Sequence, residues 1–289
     1  MFFRNMVFAA VAAGLLAGII LGSLQHFQVT PIIIGAEVYE VAEESAPSTS
    51  MAAADSAKVH DHSNPDHHTP ENISGHFEAL KHDAGATPSA TDAHIQEHQG
   101  HSHDPEAWSP EDGAERTFFT FLSTTLMAIG FALVIISGMS LSGKDSIKAG
   151  LLWGLAGYAA FFLAPSLGLP PEIPGMEAAA LEGRQSWWLL AVTFTALGLG
   201  LLAFGKGALR WGGLLIVAIP HILGAPQPEM HGFSHPDAHA VVALEALVDQ
   251  FVMTTTIVNG VFWICLGLLC GVAINTLFKL PNEESTSAA

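Results

Sequence analysis

The chain has 289 residues, 50% of them hydrophobic and only 13% charged, with 27 acidic and 10 basic side chains, 15 histidines and 2 cysteines. A soluble domain carries about 25% charged residues, and a nucleic-acid binder presents a basic face. Neither description fits a formal charge of −17 whose carriers are crowded into a few stretches. Cys265 and Cys270 lie together in an apolar run, so no disulfide framework is implied.

A bilayer-crossing helix needs about 20 apolar residues, and six stretches approach that length. Met6–Leu24 is the first and carries no charge. Arg4 before it resembles the start of a signal peptide, but the run is long, lacks a small-residue cleavage site before a polar start, and resumes at Ile32–Ile34. It is read as an uncleaved span. Phe118–Leu141, Ile147–Leu169, Trp187–Phe204, Trp211–Gly224 and Val252–Leu277 follow. The fifth is short and holds Pro220 and His221; the sixth is long enough to tilt. Gly14, Gly18 and Gly22, then Gly150 and Gly154, then Gly267 and Gly271 recur at the spacing that lets helices approach closely in lipid. The expected fold is an all-α polytopic membrane bundle of about six helices. Residues 1–41 form the first helix and its outer extension, 42–115 a long outer loop, 116–280 a five-helix bundle and 281–289 a tail.

Lys and Arg in short loops mark the cytoplasmic side. Arg4, Lys144, Lys148, Lys206, Arg210 and Lys279 then lie inside, with both termini, while Lys58, Lys81, Arg116 and Arg184 are spread over longer outer segments. All 15 histidines fall outside or near the outer edge.

Residues 42–115 are rich in Ala, Ser, Thr, Pro, His and Asp, a composition that cannot bury enough apolar surface to fold alone. From Glu37 to Arg116 there are 17 acidic and 3 basic side chains. His60, His62, His67, His68, His94, His98, His101 and His103 are interleaved with Asp61, Asp66, Glu97 and Asp104. Neutral imidazole binds cobalt, nickel, copper and zinc, and carboxylates add attraction. A flexible chain can wrap an ion with such spacing, and protonation should weaken capture below about pH 6. The plainer alternative is a solvated low-complexity linker.

Polar groups near the outer ends of the spans form a second candidate set: Glu37 after the first span, His221 in the fifth, His235 and His239 at i, i+4, and Glu245 and Asp249 leading into the sixth. They could line a vestibule offering nitrogen and oxygen ligands to a divalent cation, with Asn259 deeper in the last span. The plainer readings are a broken-helix cap for His221, an exposed helix face for Glu245 and Asp249, and a bond to a neighbouring helix for Asn259. Trp187 and Trp188 read as an interfacial belt. No axial His pair lies within a span and no HExxH occurs. The nearest phosphate-loop match, Gly138 to Lys144, is followed by Asp145 where Ser or Thr should bind magnesium. The chain is therefore read as a non-enzyme without a permanently bound cofactor.

The blocks Val29–Glu40, Gly168–Gly175, Arg184–Trp188 and Pro220–Pro226, with Gln25 and with Asn259 ahead of Phe262–Trp263, carry a family likeness. Together they resemble the predicted cobalt transporter subunit family CbtA over most of the chain outside residues 42–115. The resemblance implies a small polytopic protein of the bacterial inner membrane, cobalt uptake linked to cobalamin supply, and a small His-bearing membrane partner, CbtB. It supplies no ligand residues. The expectation is a divalent-metal uptake subunit in the lipid bilayer, with cobalt foremost as the substrate, and room for homo-oligomerisation. The rivals are a membrane-anchored metal-binding or sensing protein and a nickel or zinc permease.

Overall fold

The computed structural model describes residues 2–45, 108, 110–111 and 113–279. The capture histidines His60, His62, His67, His68, His94, His98, His101 and His103 lie outside the described residues. The architecture set out below is that of the unit formed by Met1–Ala46 and Pro110–Ala289.

Among the described residues there are helices and no strands. Helix α1 (Phe2–Leu24) continues through a π turn (Gln25–Val29) into α2 (Thr30–Ser45). Helix α3 is Ala114–Leu141. Helix α4 (Ile147–Tyr158) continues through a second π turn (Ala159–Leu163) into α5 (Ala164–Ser166). Helix α6 is Leu181–Phe204, a 3-10 turn (Gly207–Trp211) leads into α7 (Gly212–Leu223), and α8 is Ala238–Lys279. Five of these stretches are long and apolar enough to cross a membrane: Phe3–Tyr39, Ala114–Leu141, Ile147–Ser166, Leu181–Phe204 and Ala238–Thr276. Gly207–Leu223 is a shorter apolar helical stretch.

Large apolar side chains stand exposed along the long helices, among them Phe8 and Leu15 on α1, Leu126 and Val134 on α3, Leu189 and Leu197 on α6, and Met253 and Ile257 on α8. In water such surfaces would be a liability; against acyl chains they are the expected finish. The interior uses smaller groups. Ala10, Ala13, Ala17, Ala128, Ala132 and Ala191 are fully or nearly fully buried, joined by Ile136, Met139, Phe262 and Leu266.

Glycines set the pairings. A Cβ on Gly14, Gly18 or Gly22 would run into Ile129, Thr125 or Phe121, so α1 and α3 pack antiparallel at close range. A Cβ on Gly150 would strike the backbone of Gly267 and Gly271, and one on Gly154 the backbone of Trp263 and Gly267. Helices α4 and α8 thus touch backbone to backbone. Gly198 meets Gly213 and Val217 in the same way, pairing α6 with α7. Phe131, Phe161 and Trp263 close the centre, with ring centroids 4.7 to 5.7 Å apart.

Both π turns stand immediately before an X-Pro step, Thr30-Pro31 and Ala164-Pro165. Proline has no amide hydrogen and its ring clashes with the carbonyl four residues back. The widened turn accommodates this: Thr30 N–H donates to the Gln25 carbonyl and Ala164 N–H to the Ala159 carbonyl, five residues back in each case. The helix therefore passes each proline without breaking. For this reason the first helix runs well past the expected end at Leu24.

Two helices exceed the bilayer. Phe3–Tyr39 has 37 residues and Ala238–Thr276 has 39, or about 55 and 58 Å at 1.5 Å per residue, against a hydrocarbon core of about 30 Å. Helix α2 and the first turns of α8 extend at the same end, where Gly35 lies 3.9 Å (as a notional Cβ) from Leu247. Helix α7 has 12 residues. Antiparallel to α6, it brings the chain back to the end from which α8 starts. Pro220 sits inside α7, and Gly224, at φ 84°, takes the left-handed conformation that ends it.

Gly150→Val and Gly267→Val are expected to destabilise the bundle by about 2–3 kcal/mol or abolish its assembly. Gly130 has open space around it, so Gly130→Ala should be neutral or stabilising by up to about 1 kcal/mol. Thermal unfolding of the detergent-solubilised protein checks both; equal effects of the two kinds of substitution would contradict the packing.

Candidate functional site

One end of the bundle gathers the described histidines and nearly all the described carboxylates, while Lys144, Lys148, Lys206 and Arg210 lie on the connections at the other. The first of these ends consists of α2, the start of α3, residues 167–180, the start of α6, residues 224–237 and the start of α8. Two ion pairs clasp it. Arg116 on α3 grips Glu37 on α2 with both arms, Nη2 to Oε1 at 2.6 Å and Nη1 to Oε2 at 3.2 Å. Arg184 on α6 holds Glu172 of the preceding loop at 2.8 Å. Each side chain keeps between 22% and 34% of its surface exposed, so water still screens both pairs.

The proline-rich loop is seated by small residues. Gly168 lies against the Trp187 ring, where a Cβ would also approach Ala225 at 2.9 Å, and Gly183 lies against Pro226. Trp187 is only 6% exposed, which removes it from the expected interfacial belt; Trp188 is 38% exposed. The Trp187 ring stands edge-on to His221, centroids 6.0 Å apart. Neither Trp187 Nε1 nor His221 Nε2 has a hydrogen-bond partner, although both atoms are buried. The separated blocks Gly168–Gly175, Arg184–Trp188 and Pro220–Pro226 therefore meet in one place.

A cavity of about 60 Å³ lies beside them, lined by Ala36, Tyr39, Pro174, Gly175, Phe233, Ser234, His235 and Leu244. His235 precedes α8 instead of sharing a helical face with His239. Its Nδ1 accepts from Asp237 N–H at 3.0 Å, and Asp237 Oδ1 in turn accepts from His239 N–H at 2.9 Å, which caps α8. With Nδ1 accepting, the neutral ring carries its proton on Nε2, the buried and unpartnered atom. A metal-binding imidazole usually has the opposite arrangement, donating from the nitrogen that does not bind. His235 can bind a cation through Nε2 only by giving up its bond to Asp237.

His239, Glu245 and Asp249 are exposed on α8, and Glu37 is occupied by Arg116. Among the described residues, no three His, Cys, Asp or Glu side chains converge closely enough to share an ion. Asn259 bonds within its own helix, donating from Nδ2 to the Thr255 carbonyl at 2.9 Å, and does not reach a neighbour. A wider groove of about 490 Å³ runs between the first helix and α8, lined by Phe27, Gln28, Pro31, Ile32, Leu247, Gln250 and Thr254. Reading the residues in isolation missed Thr195 on α6, 2% exposed and without a partner for Oγ1. A lone Thr in an apolar run carries no signal until its burial is known.

A double-mutant cycle on Glu172→Gln and Arg184→Gln is expected to give a coupling below about 1 kcal/mol. The coupling should shrink further in high salt. A salt-independent coupling of several kcal/mol would mean the pair is far better shielded than its exposure implies.

No curated protein and no solved structure matches the chain. A protein-family model does, described as "Probable cobalt transporter subunit (CbtA)", and the match spans residues 3–275. A match over nearly the whole chain, on a helical bundle finished for lipid, shows that this membrane protein belongs to the CbtA family.

Proposed function

We propose that the chain is a subunit for inward movement of a divalent transition metal, cobalt foremost, across the bacterial cytoplasmic membrane. The observation that carries this reading is the family match over residues 3–275. The polar end, with its histidines and carboxylates, faces outward in this reading, and both termini lie in the cytoplasm. The Lys144, Lys148, Lys206 and Arg210 cluster on the short connections supports that orientation.

Residues 42–115 would act as an outer antenna. Its His and Asp side chains raise the local ion concentration without needing a preformed site. From there the ion passes to the polar end, where His221 offers a nitrogen and Glu37, Glu245 and Asp249 offer charge. Glu37 is available only when Arg116 releases it. His235 joins them only if its ring gives up the Asp237 N–H, while the exposed His239 ring offers a further nitrogen at the rim. The membrane potential contributes about 2.3 kcal/mol per charge per 100 mV. The spans supply almost no charge to a divalent ion at mid-membrane, which is costly. A second subunit of the CbtB kind, or a second copy of the chain, would supply it.

Cellular cobalt, nickel and zinc measured by mass spectrometry test the reading, in cells expressing the chain with and without a CbtB-type partner. Selective cobalt accumulation is expected. Binding of metal by the membrane-embedded protein with no accumulation under either condition would replace transport with a membrane-anchored metal-binding or sensing role. Removing residues 55–104 should raise the cobalt concentration for half-maximal uptake by roughly 3- to 10-fold and leave the maximal rate unchanged. Glu245→Gln with Asp249→Asn should lower flux with the loop intact; unchanged flux would take both carboxylates off the path.

A further inference from the structure

The strongest unexplained feature is a set of polar atoms with nothing to bond. Among the described residues, five buried side-chain nitrogen or oxygen atoms lack a partner, and three of them belong to one hairpin: Trp187 Nε1 and Thr195 Oγ1 on α6, and His221 Nε2 on α7. Trp187 and Thr195 are 6% and 2% exposed. Thr195 is also unlike other threonines of the bundle. Thr117, Thr120, Thr124, Thr255 and Thr256 all donate their hydroxyls to a carbonyl of their own helix. Thr195 does not.

Helix α7 adds a backbone acceptor. Pro220 is buried and brings no amide hydrogen, so the Ile216 carbonyl loses its usual helical donor. In lipid an unsatisfied polar group costs several kcal/mol. Three such side-chain atoms on one hairpin, beside a carbonyl that has lost its helical donor, call for an occupant with both lone pairs and hydrogens, which is water. The seam reaches the polar end of the bundle, where the His221 and Trp187 rings stand 6.0 Å apart.

We propose that the α6–α7 seam is a hydrated binding site for a partly hydrated divalent cation, with His221 Nε2 as its one direct protein ligand and Thr195 and Trp187 ordering the water around it. The proposal rests on the transport reading above and locates its binding step. Neither helix carries a charged side chain between Arg184 and Lys206, or from Gly212 to Leu223. A bare divalent ion is therefore excluded, and the ion keeps part of its water shell. Metal-bound water donates strongly, and Thr195 Oγ1 and the Ile216 carbonyl accept. Trp187 Nε1 can only donate, so it anchors a water outside the coordination sphere by its oxygen. Such a site binds without trapping, because a single imidazole replaces a single water.

Two measurements test this on the full chain in membranes. In cobalt uptake, His221→Gln and Thr195→Val are expected to lose about tenfold or more and Trp187→Phe about threefold, while Thr195→Ser stays near the parent. All variants should reach parental levels in the membrane. In the second measurement, Cys265 and Cys270 are replaced by Ala and Thr195→Cys is introduced. A small cationic thiol reagent should modify position 195 from water, and Co²⁺ should slow that modification. Leu197→Cys, at a site 60% exposed on the outer face of the bundle, should not react. If the parent accumulates no cobalt, the transport reading fails, and the labelling still reports whether the seam is wet and binds Co²⁺. An inert cysteine at 195, labelling indifferent to Co²⁺, or parental uptake by all three loss variants would overturn the seam as the site.

Discussion

The backbone contact between α4 and α8 underlies the whole arrangement. Hydrophobicity cannot drive two apolar helices together in lipid, because acyl chains are as apolar as leucine. Close approach must supply the attraction through dispersion and weak Cα–H···O contacts. Gly150 and Gly154 meeting Gly267, Gly271 and the Trp263 backbone provide it. Trp263, held there, stacks on Phe161 and tilts against Phe131, so the α4–α8 pair locks α3 and the second π turn in place. The α1–α3 pair repeats the device through Gly14, Gly18 and Gly22. The α6–α7 hairpin uses it again through Gly198 and Gly213, and three of the unpaired polar atoms lie on it.

Much of this was legible in the amino-acid order. The spans, the glycine pairs and the clustering of polar groups at one end follow from apolar length, four-residue spacing and the positions of Lys and Arg. Local patterns like these are written in consecutive residues. The extension of the first helix past Leu24 and of the last helix back to Ala238 was not legible, since polar residues such as Gln25, His26, Glu245 and Asp249 look like boundaries. In a protein they continue a helix that has already left the bilayer.

The site was legible only in part. His221, Glu37, Glu245 and Asp249 stand out by type. Their partners do not, because Arg116 and Glu37 are 79 residues apart and Trp187 reaches His221 only through the fold. His235 illustrates the limit most clearly. Its spacing to His239 suggests one shared helical face, yet the helix starts between them, and the His235 ring alone is held by the Asp237 N–H. Thr195 carried no signal at all, since its importance lies in a bond it fails to make.

The π turn at Gln25–Val29 has a consequence for how side chains are assigned to faces. A turn with one extra residue rotates everything after it by about 100° relative to an uninterrupted α-helix. A helical wheel drawn from Phe2 would therefore be out of phase from Thr30 onward. Pro31, Ile32, Glu37 and Tyr39 face where they do because the phase slips there. The turn works as a coupling between two sections of one rod. It lets α1 keep its glycine face on α3, while α2 presents an independently chosen face to Arg116 and to the cavity beneath Phe233.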